Sequence, residues 1–211
     1  ARELGILCVL VGRQSTAPDV SAVGRNEAAI AYQVTENLLD LGHRAIAFVG
    51  GDWDYSYTRS RLEGYRQALT DRGVNLQDRW TALGTGSEAT AKIVENSPEI
   101  TAAIFVNDAN AVDGLPLFQA AGYSIPGELS VISFDDTEEA RTFDPPLSSV
   151  SYPRYQEGLW SVKVLVERLR QPLIQSCRVV FRASLVERDS CTHPREEAQL
   201  RVNSSKGGDG S

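Results

Sequence analysis

The sequence predicts an α/β protein built around parallel sheet. Short apolar runs of strand length alternate with helical stripes, and several runs end directly in glycine or in an acidic pair. Such alternation is the pattern of repeated strand-helix units, in which each crossover returns the chain to a parallel strand.

The first apolar run, residues 5–11, is bounded by Gly12 and a Ser/Thr/Pro/Asp stretch, which suits a buried strand followed by a loop. A helix is expected next. Asn26 is a good N-cap, Glu27 suits the positive end of the helix dipole, and Ile30, Val34, Leu38 and Leu41 form a stripe that stops at Gly42. Residues 45–49 then read as a strand ending in Gly50-Gly51, and residues 59–71 as a helix carrying Leu62, Tyr65 and Leu69. A weak strand over 80–83 precedes a helix over 87–96. Residues 102–106 and 109–121 repeat the strand-helix pair. Residues 129–134 form another strand that runs into Asp135-Asp136. After Pro145-Pro146 come a strand over 147–150, an amphipathic helix over 153–170 through Tyr155, Leu159, Val162, Val166 and Leu169, and a strand over 179–186. The polar stretch 192–211 is expected to be a disordered tail.

With 211 residues, 42% of them hydrophobic and 23% charged, the composition is that of a globular chain of one or two domains with a sizeable core. Lys and Arg number 21 against 28 Asp and Glu, a formal net charge of −7, and no Lys/Arg-dense stretch occurs. That lacks the basic footprint of phosphate-backbone binding. The apolar runs fall far short of the roughly 20 residues that span a bilayer. Cys8, Cys177 and Cys191 are an odd set without a CxxC pair, which argues against a disulfide framework or zinc site and for buried or inert thiols. No Met is present, so Ala1 is not expected to be where translation began.

In open parallel sheets ligands bind beyond the carboxyl ends of the strands. The residues there are Arg13, then Trp53, Asp54, Tyr55 and Tyr57 with Arg61, then Asn107 and Asp108, then Asp135 and Asp136. Planar hydrogen-bonding groups beside aromatic faces suit a sugar or nucleoside. Each also fits a duller role: Asn107 or Asp108 as a helix cap, Asp135 or Asp136 in a turn, Arg61 as a solvated helix arginine. Their joint placement on one edge favours a site. Enzyme readings fare worse: His43 and His193 are the only histidines, and there is no P-loop, GxGxxG, HExxH or metal-ligand cluster. No cofactor is expected.

Longer motifs narrow the class. Leu41-Gly42-His43-Arg44 with Ile46-Ala47-Phe48, Arg61-Leu62-Glu63-Gly64-Tyr65, Ala103-Ile104-Phe105-Val106-Asn107-Asp108, Gly122-Tyr123-Ser124-Ile125-Pro126 and Val131-Ile132-Ser133-Phe134-Asp135-Asp136 follow in order. With Pro145-Pro146-Leu147-Ser148-Ser149-Val150 and Leu185-Val186-Glu187-Arg188-Asp189-Ser190, this series resembles the effector domain of LacI/GalR-type bacterial transcription regulators over residues 4–191.

The resemblance implies a type I periplasmic-binding-protein fold with two Rossmann-like subdomains hinged around a ligand cleft. Residues 26–150 and 182–191 would form a near-complete C-terminal subdomain, and residues 1–25 and 154–181 part of the N-terminal one. The family's opening strand-helix units and its helix-turn-helix reader are absent from these residues. Carried over, Arg61, Asn107 and Asp135 match effector-binding positions and residues 53–57 line the cleft. Gly12-Arg13 and Arg25-Asn26 stand where the family commonly has Asp-Arg and Asp-Asn, which suggests an effector with negative charge met by Arg13 or Arg25. The implied protein is a cytoplasmic, non-enzymatic homodimer that senses a sugar-like metabolite and controls operator DNA, with its dimer surface partly on the helix after Asn107 and near residues 139–143. A periplasmic sugar-binding protein of a transporter shares the fold and is the alternative.

Overall fold

The computed structural model describes residues 6–13, 17–171 and 175–195. In chain order its elements are β1 (Val9–Val11), β2 (Ser21–Gly24), α1 (Glu27–Asp40), β3 (Ile46–Val49), α2 (Ser56–Asp71), β4 (Thr81–Ala82), α3 (Gly86–Asn96) and β5 (Ala102–Phe105). There follow α4 (Asp108–Ala120), β6 (Ser130–Phe134), α5 (Glu138–Thr142), β7 (Ser148–Ser151), α6 (Arg154–Arg170), β8 (Arg178–Val180) and β9 (Ser184–Val186). The chain divides into two compact units, Ala1–Glu27 with Tyr152–Ser184 and Ala28–Ser151 with Leu185–Ser211.

The larger unit carries a six-stranded sheet in the order β4-β3-β5-β6-β7-β9. From β4 to β7 every pairing is parallel, with Phe48 opposite Ile104 and Ile104 opposite Ile132 in the three central strands. Both faces of those strands are covered, so β3, β5 and β6 are buried at every residue and read as continuous apolar runs. Ala47, Val49, Phe105, Val131, Ile93, Leu115 and Phe118 belong to the main core cluster. Phe118 meets Phe105 and Tyr123 edge to face, with ring centroids 6.3 Å and 5.4 Å away. Small residues let the helices close up. A Cβ on Gly64 of α2 would lie 2.0 Å from the Ala28 carbonyl oxygen of α1, and one on Gly86 of α3 would lie 2.0 Å from the Asn110 carbonyl oxygen of α4.

The smaller unit holds the parallel sheet β1-β2-β8, with Val11 opposite Val23 and Val23 opposite Val179. Its helix α6 buries Glu157, Ser161 and Val164, while Tyr155, Leu159, Val162, Val166 and Leu169 are exposed. The apolar stripe read from the sequence is therefore the outward face of the helix.

Several expectations are corrected. Strand β2 was not anticipated, because Ser-Ala-Val-Gly is too short and too small in side chain to stand out, although all four residues are buried. The run 179–186 is two strands in two different sheets, interrupted at 181–183. The first strand is confined to Val9–Val11 among the described residues. Helix α5, capped by the Thr137 hydroxyl, was missed because it has a single turn. Helix α2 begins at Ser56, so Tyr57 stands in its first turn rather than in a loop. Cys177 is exposed rather than buried, and all three thiols are free. Residues 192–195, expected within a tail, are held: the Thr192 amide donates to Ser130 Oγ at 3.0 Å, and His193 Nδ1 lies 2.8 Å from the Leu41 carbonyl oxygen. Residues 196–211 of that expected tail lie outside the described residues.

Candidate functional site

Helix α2 starts just beyond β3, after the turn at Gly50 and Gly51, whose φ values of 87° and 91° demand residues without a Cβ. Its buried face runs through Thr58, Arg61, Leu62, Tyr65, Ala68 and Leu69, so a cation occupies an inward position near the helix start. Arg61 is 3% exposed. Its Nη1 donates to the Val106 carbonyl oxygen at the end of β5, and its guanidinium carbon lies 4.2 Å from the Phe134 ring centroid and 5.1 Å from that of Tyr57. A solvated helix arginine is thereby ruled out. Burial pushes the Tyr57 phenol above its usual range, with the Arg61 charge opposing that rise, so Tyr57 is a neutral hydroxyl.

At the end of β5 the two neighbouring residues divide their work. Asn107 caps α4, its Oδ1 accepting the Asn110 amide at 2.8 Å and Asn110 Nδ2 at 2.7 Å. The duller role therefore holds for its oxygen, and its NH₂ is the group left to donate. Asp108 is fully buried and accepts from Ser149 Oγ at 2.7 Å, from the Thr137 amide at 2.7 Å and from Ser133 Oγ. It is a structural tie across the ends of β5, β6 and β7 rather than a ligand contact.

The acidic pair after β6 divides in the same way. Asp135 is half-buried with φ at 113°, in the region that disfavours most side chains, and its amide donates to the Val150 carbonyl oxygen at 2.9 Å. Asp136 pairs with Arg141 at 2.8 Å and with Arg188. Burial works against ionisation there, but hydrogen bonds from Arg141 and Arg188 prevail and hold its carboxyl down at about 2. Asp136 is thus spent on the fold.

The loop after β3 shows its aromatics to solvent: Trp53 is 54% and Tyr55 55% exposed. Tyr55 stacks on Tyr57, with centroids 5.3 Å apart and planes 12° from parallel. The Asp54 amide donates to Asp52 Oδ1 at 2.8 Å, while Arg59 Nη1 binds the Trp53 carbonyl oxygen. Beside this loop lies an open groove of about 570 Å³ lined by Asp52, Trp53, Tyr55, Tyr57, Leu83, Gly84, Thr85, Glu88 and Asn110. Asp54 is not among the residues that line this groove. Asp52, Thr85, Glu88 and Asn110 were missed in the sequence because the groove depends on β4, a two-residue strand. The Thr-x-x-Glu capping signature at residues 85–88 was the available signal.

Arg13 belongs to the smaller unit and is exposed. Arg25 is committed within that unit: its Nε lies 3.1 Å from Glu27, its Nη1 3.5 Å from Glu157, and its guanidinium 3.7 Å above the Tyr152 ring. Its nearest charged neighbours are thus carboxylates of the same unit. Among the described residues no group of three or more His, Cys, Asp or Glu side chains converges as a metal site, and no helix is long and apolar enough to cross a membrane.

Comparison with known proteins bears on the same elements. The profile of the periplasmic binding protein-like domain matches residues 35–191. The HTH-type transcriptional regulator CelR of Thermobifida fusca is 28% identical over 195 residues, covering 89% of this chain and 57% of that protein. The ribose operon repressor of Escherichia coli K12 is 33% identical over 161 residues, covering 74% of this chain and 49% of the repressor. The structure of the transcriptional regulator CelR in complex with cellobiose superposes with a TM-score of 0.84 at 29% identity, over 89% of this chain and 60% of that one. The chain spans about half the length of the curated relatives it matches. Over the strands and helices that carry Arg61, Asn107 and Asp135, this chain belongs to the periplasmic binding protein-like domain family, and the relatives it is similar to are transcriptional regulators.

Proposed function

We propose that the chain is the effector-binding and dimerisation part of a LacI-type regulator that senses a small sugar in the cytoplasm. It controls operator DNA through a helix-turn-helix module outside these residues. In this reading it catalyses nothing. The observation that carries the proposal is the buried Arg61 guanidinium, set between Phe134 and Tyr57 at the carboxyl edge of the sheet. A cation is placed there at a desolvation cost, and charge-assisted hydrogen bonds to ligand oxygens are worth about 1.5 to 3 kcal/mol each. Asp135 accepts hydrogen bonds from hydroxyls and Asn107 donates them, the complement that a polyol requires. The relatives named for cellobiose and ribose systems support a sugar as effector. Binding need alter operator affinity by only about 1 to 3 kcal/mol to act as a switch.

The full chain, titrated calorimetrically with ribose, glucose and cellobiose, is expected to bind at least one of them. Asp135→Asn keeps a small polar side chain and removes the charge, so it is expected to weaken binding by about tenfold or more. Arg61→Ala is expected to abolish binding and also to cost stability, because it empties a buried site. Unchanged affinity in Asp135→Asn would refute the placement.

A further inference from the structure

The dipeptide that follows β6 has an uncommon backbone. Asp135 and Asp136 both have positive φ, at 113° and 51°, and neither is glycine. Successive residues stay in that region only where neighbouring groups over-determine the chain. Three consecutive amides supply the first constraint: that of Asp135 donates to the Val150 carbonyl oxygen at 2.9 Å, that of Asp136 to Ser149 Oγ at 3.0 Å, and that of Thr137 to Asp108 Oδ2 at 2.7 Å. The peptides on both sides of the Asp135 α-carbon are thereby pinned, and with them the bond from which its side chain departs.

Two arginines supply the second constraint, and both act on the neighbouring residue. Arg141 Nη2 donates to Asp136 Oδ2 at 2.8 Å and to the Asp136 carbonyl oxygen at 2.9 Å, so one guanidinium closes a ring over the side chain and backbone of a single residue. Arg188 Nη2 donates to Asp136 Oδ1, and its Nη1 to the Leu147 carbonyl oxygen at 2.6 Å. The Asp136 side chain is only 8% exposed between them. The segments that hold the pair are also those by which the chain leaves and re-enters the larger unit: β7 ends at Ser151, and Arg188 follows closely on Leu185.

We propose that Arg141 and Arg188 are positioning residues for effector binding: by gripping Asp136 they hold the left-handed pair in the one conformation that presents the Asp135 carboxylate to a ligand hydroxyl. The inference rests on the effector reading above and adds to it two residues that act on the ligand through Asp135. It also ties that contact to the two places where the chain passes between the units.

Ribose, glucose and cellobiose are titrated calorimetrically into the full chain, and the tightest of them into Arg141→Ala, Arg141→Lys, Arg188→Lys, Asp135→Asn and the double variant Asp135→Asn/Arg141→Ala. Melting temperatures and amide hydrogen exchange at residues 135–137 are measured in parallel. Arg141 is half-exposed, so its truncation is expected to leave the melting temperature close to that of the unmodified chain. The same truncation is expected to lower affinity about fivefold and to speed exchange of the Asp135 and Asp136 amides, with Arg141→Lys recovering most of the affinity. Arg188→Lys keeps the charge but loses the planar fork that reaches two acceptors, and a similar loss is expected. Beside Asp135→Asn, Arg141→Ala is expected to cost no more than about twofold, because its effect runs through that carboxylate. Affinity within about twofold of the unmodified chain in either single arginine variant overturns the role of that arginine and leaves the effector reading standing. A loss that persists in full beside Asp135→Asn also overturns it, as the mark of general loosening. Failure of the unmodified chain to bind any of the three sugars overturns the effector reading and this inference with it.

Discussion

The larger and smaller units use helices in opposite ways. In the larger unit α2 turns Leu62, Tyr65 and Leu69 inward, and the Tyr65 hydroxyl donates to the Ile46 carbonyl oxygen at 2.8 Å. In the smaller unit α6 turns Glu157, Ser161 and Val164 inward and leaves six large apolar side chains outside. An amphipathic pattern gives the period of a helix but not the side it buries. Among the described residues the larger unit encloses its apolar core, whereas the smaller one presents the apolar side chains of α6 outward and holds ion pairs around Arg25.

Three measurements break or sharpen this contrast. The largest effect is expected in the larger core: Phe118→Ala removes a ring held edge to face by Phe105 and Tyr123 and should cost about 3 to 5 kcal/mol in urea unfolding. A smaller loss would mean that the core collapses around the cavity.

Acid titration comes next. His43 is buried against Thr101 Oγ1 and the Thr192 carbonyl oxygen, at 2.8 Å and 2.9 Å, and burial lowers its pKa from 6.5 to about 4. Between those values the unfolded chain binds the extra proton. Stability from this group is therefore complete above about pH 6.5, falls as the pH drops towards 4, and changes no further below that, with a total of about 3 kcal/mol. Urea midpoints at pH 7.5 and 4.5 check this, with His43→Asn expected to lose much of the difference.

The smallest effect is expected on α6. Leu169→Lys should change stability by no more than about 0.5 kcal/mol, because the side chain is exposed. A loss of several kcal/mol would show that this face is covered in solution.

How much was legible follows from the same contrast. The strands over 46–49, 102–105 and 130–134 announce themselves because a strand buried on both faces needs an unbroken apolar run. Arg61 and Asp135 were legible as residues at strand ends near an expected binding edge. The roles of Asp108 and Asp136 were not, since they depend on Ser149 and Arg188, partners 41 and 52 residues away that no local pattern announces. The outer groove was hidden for a related reason: Glu88 reaches it through β4, whose register comes from pairing with β3.

The return of the chain to the larger sheet also bears on how the protein emerges during synthesis. The Ser190 carbonyl oxygen accepts the Val131 amide at 2.8 Å, Ser190 Oγ accepts the Ser148 amide at 2.7 Å, and Arg188 Nη1 donates to the Leu147 carbonyl oxygen at 2.6 Å. These bonds close β6 and β7 with residues made some 40 to 60 positions later. Translation delivers residues in order at roughly 5 to 20 per second, so the far edge of the larger sheet waits several seconds, unpaired, while the second segment of the smaller unit, Tyr152–Ser184, is made in between. The better-packed half of the molecule is thus the one that finishes last.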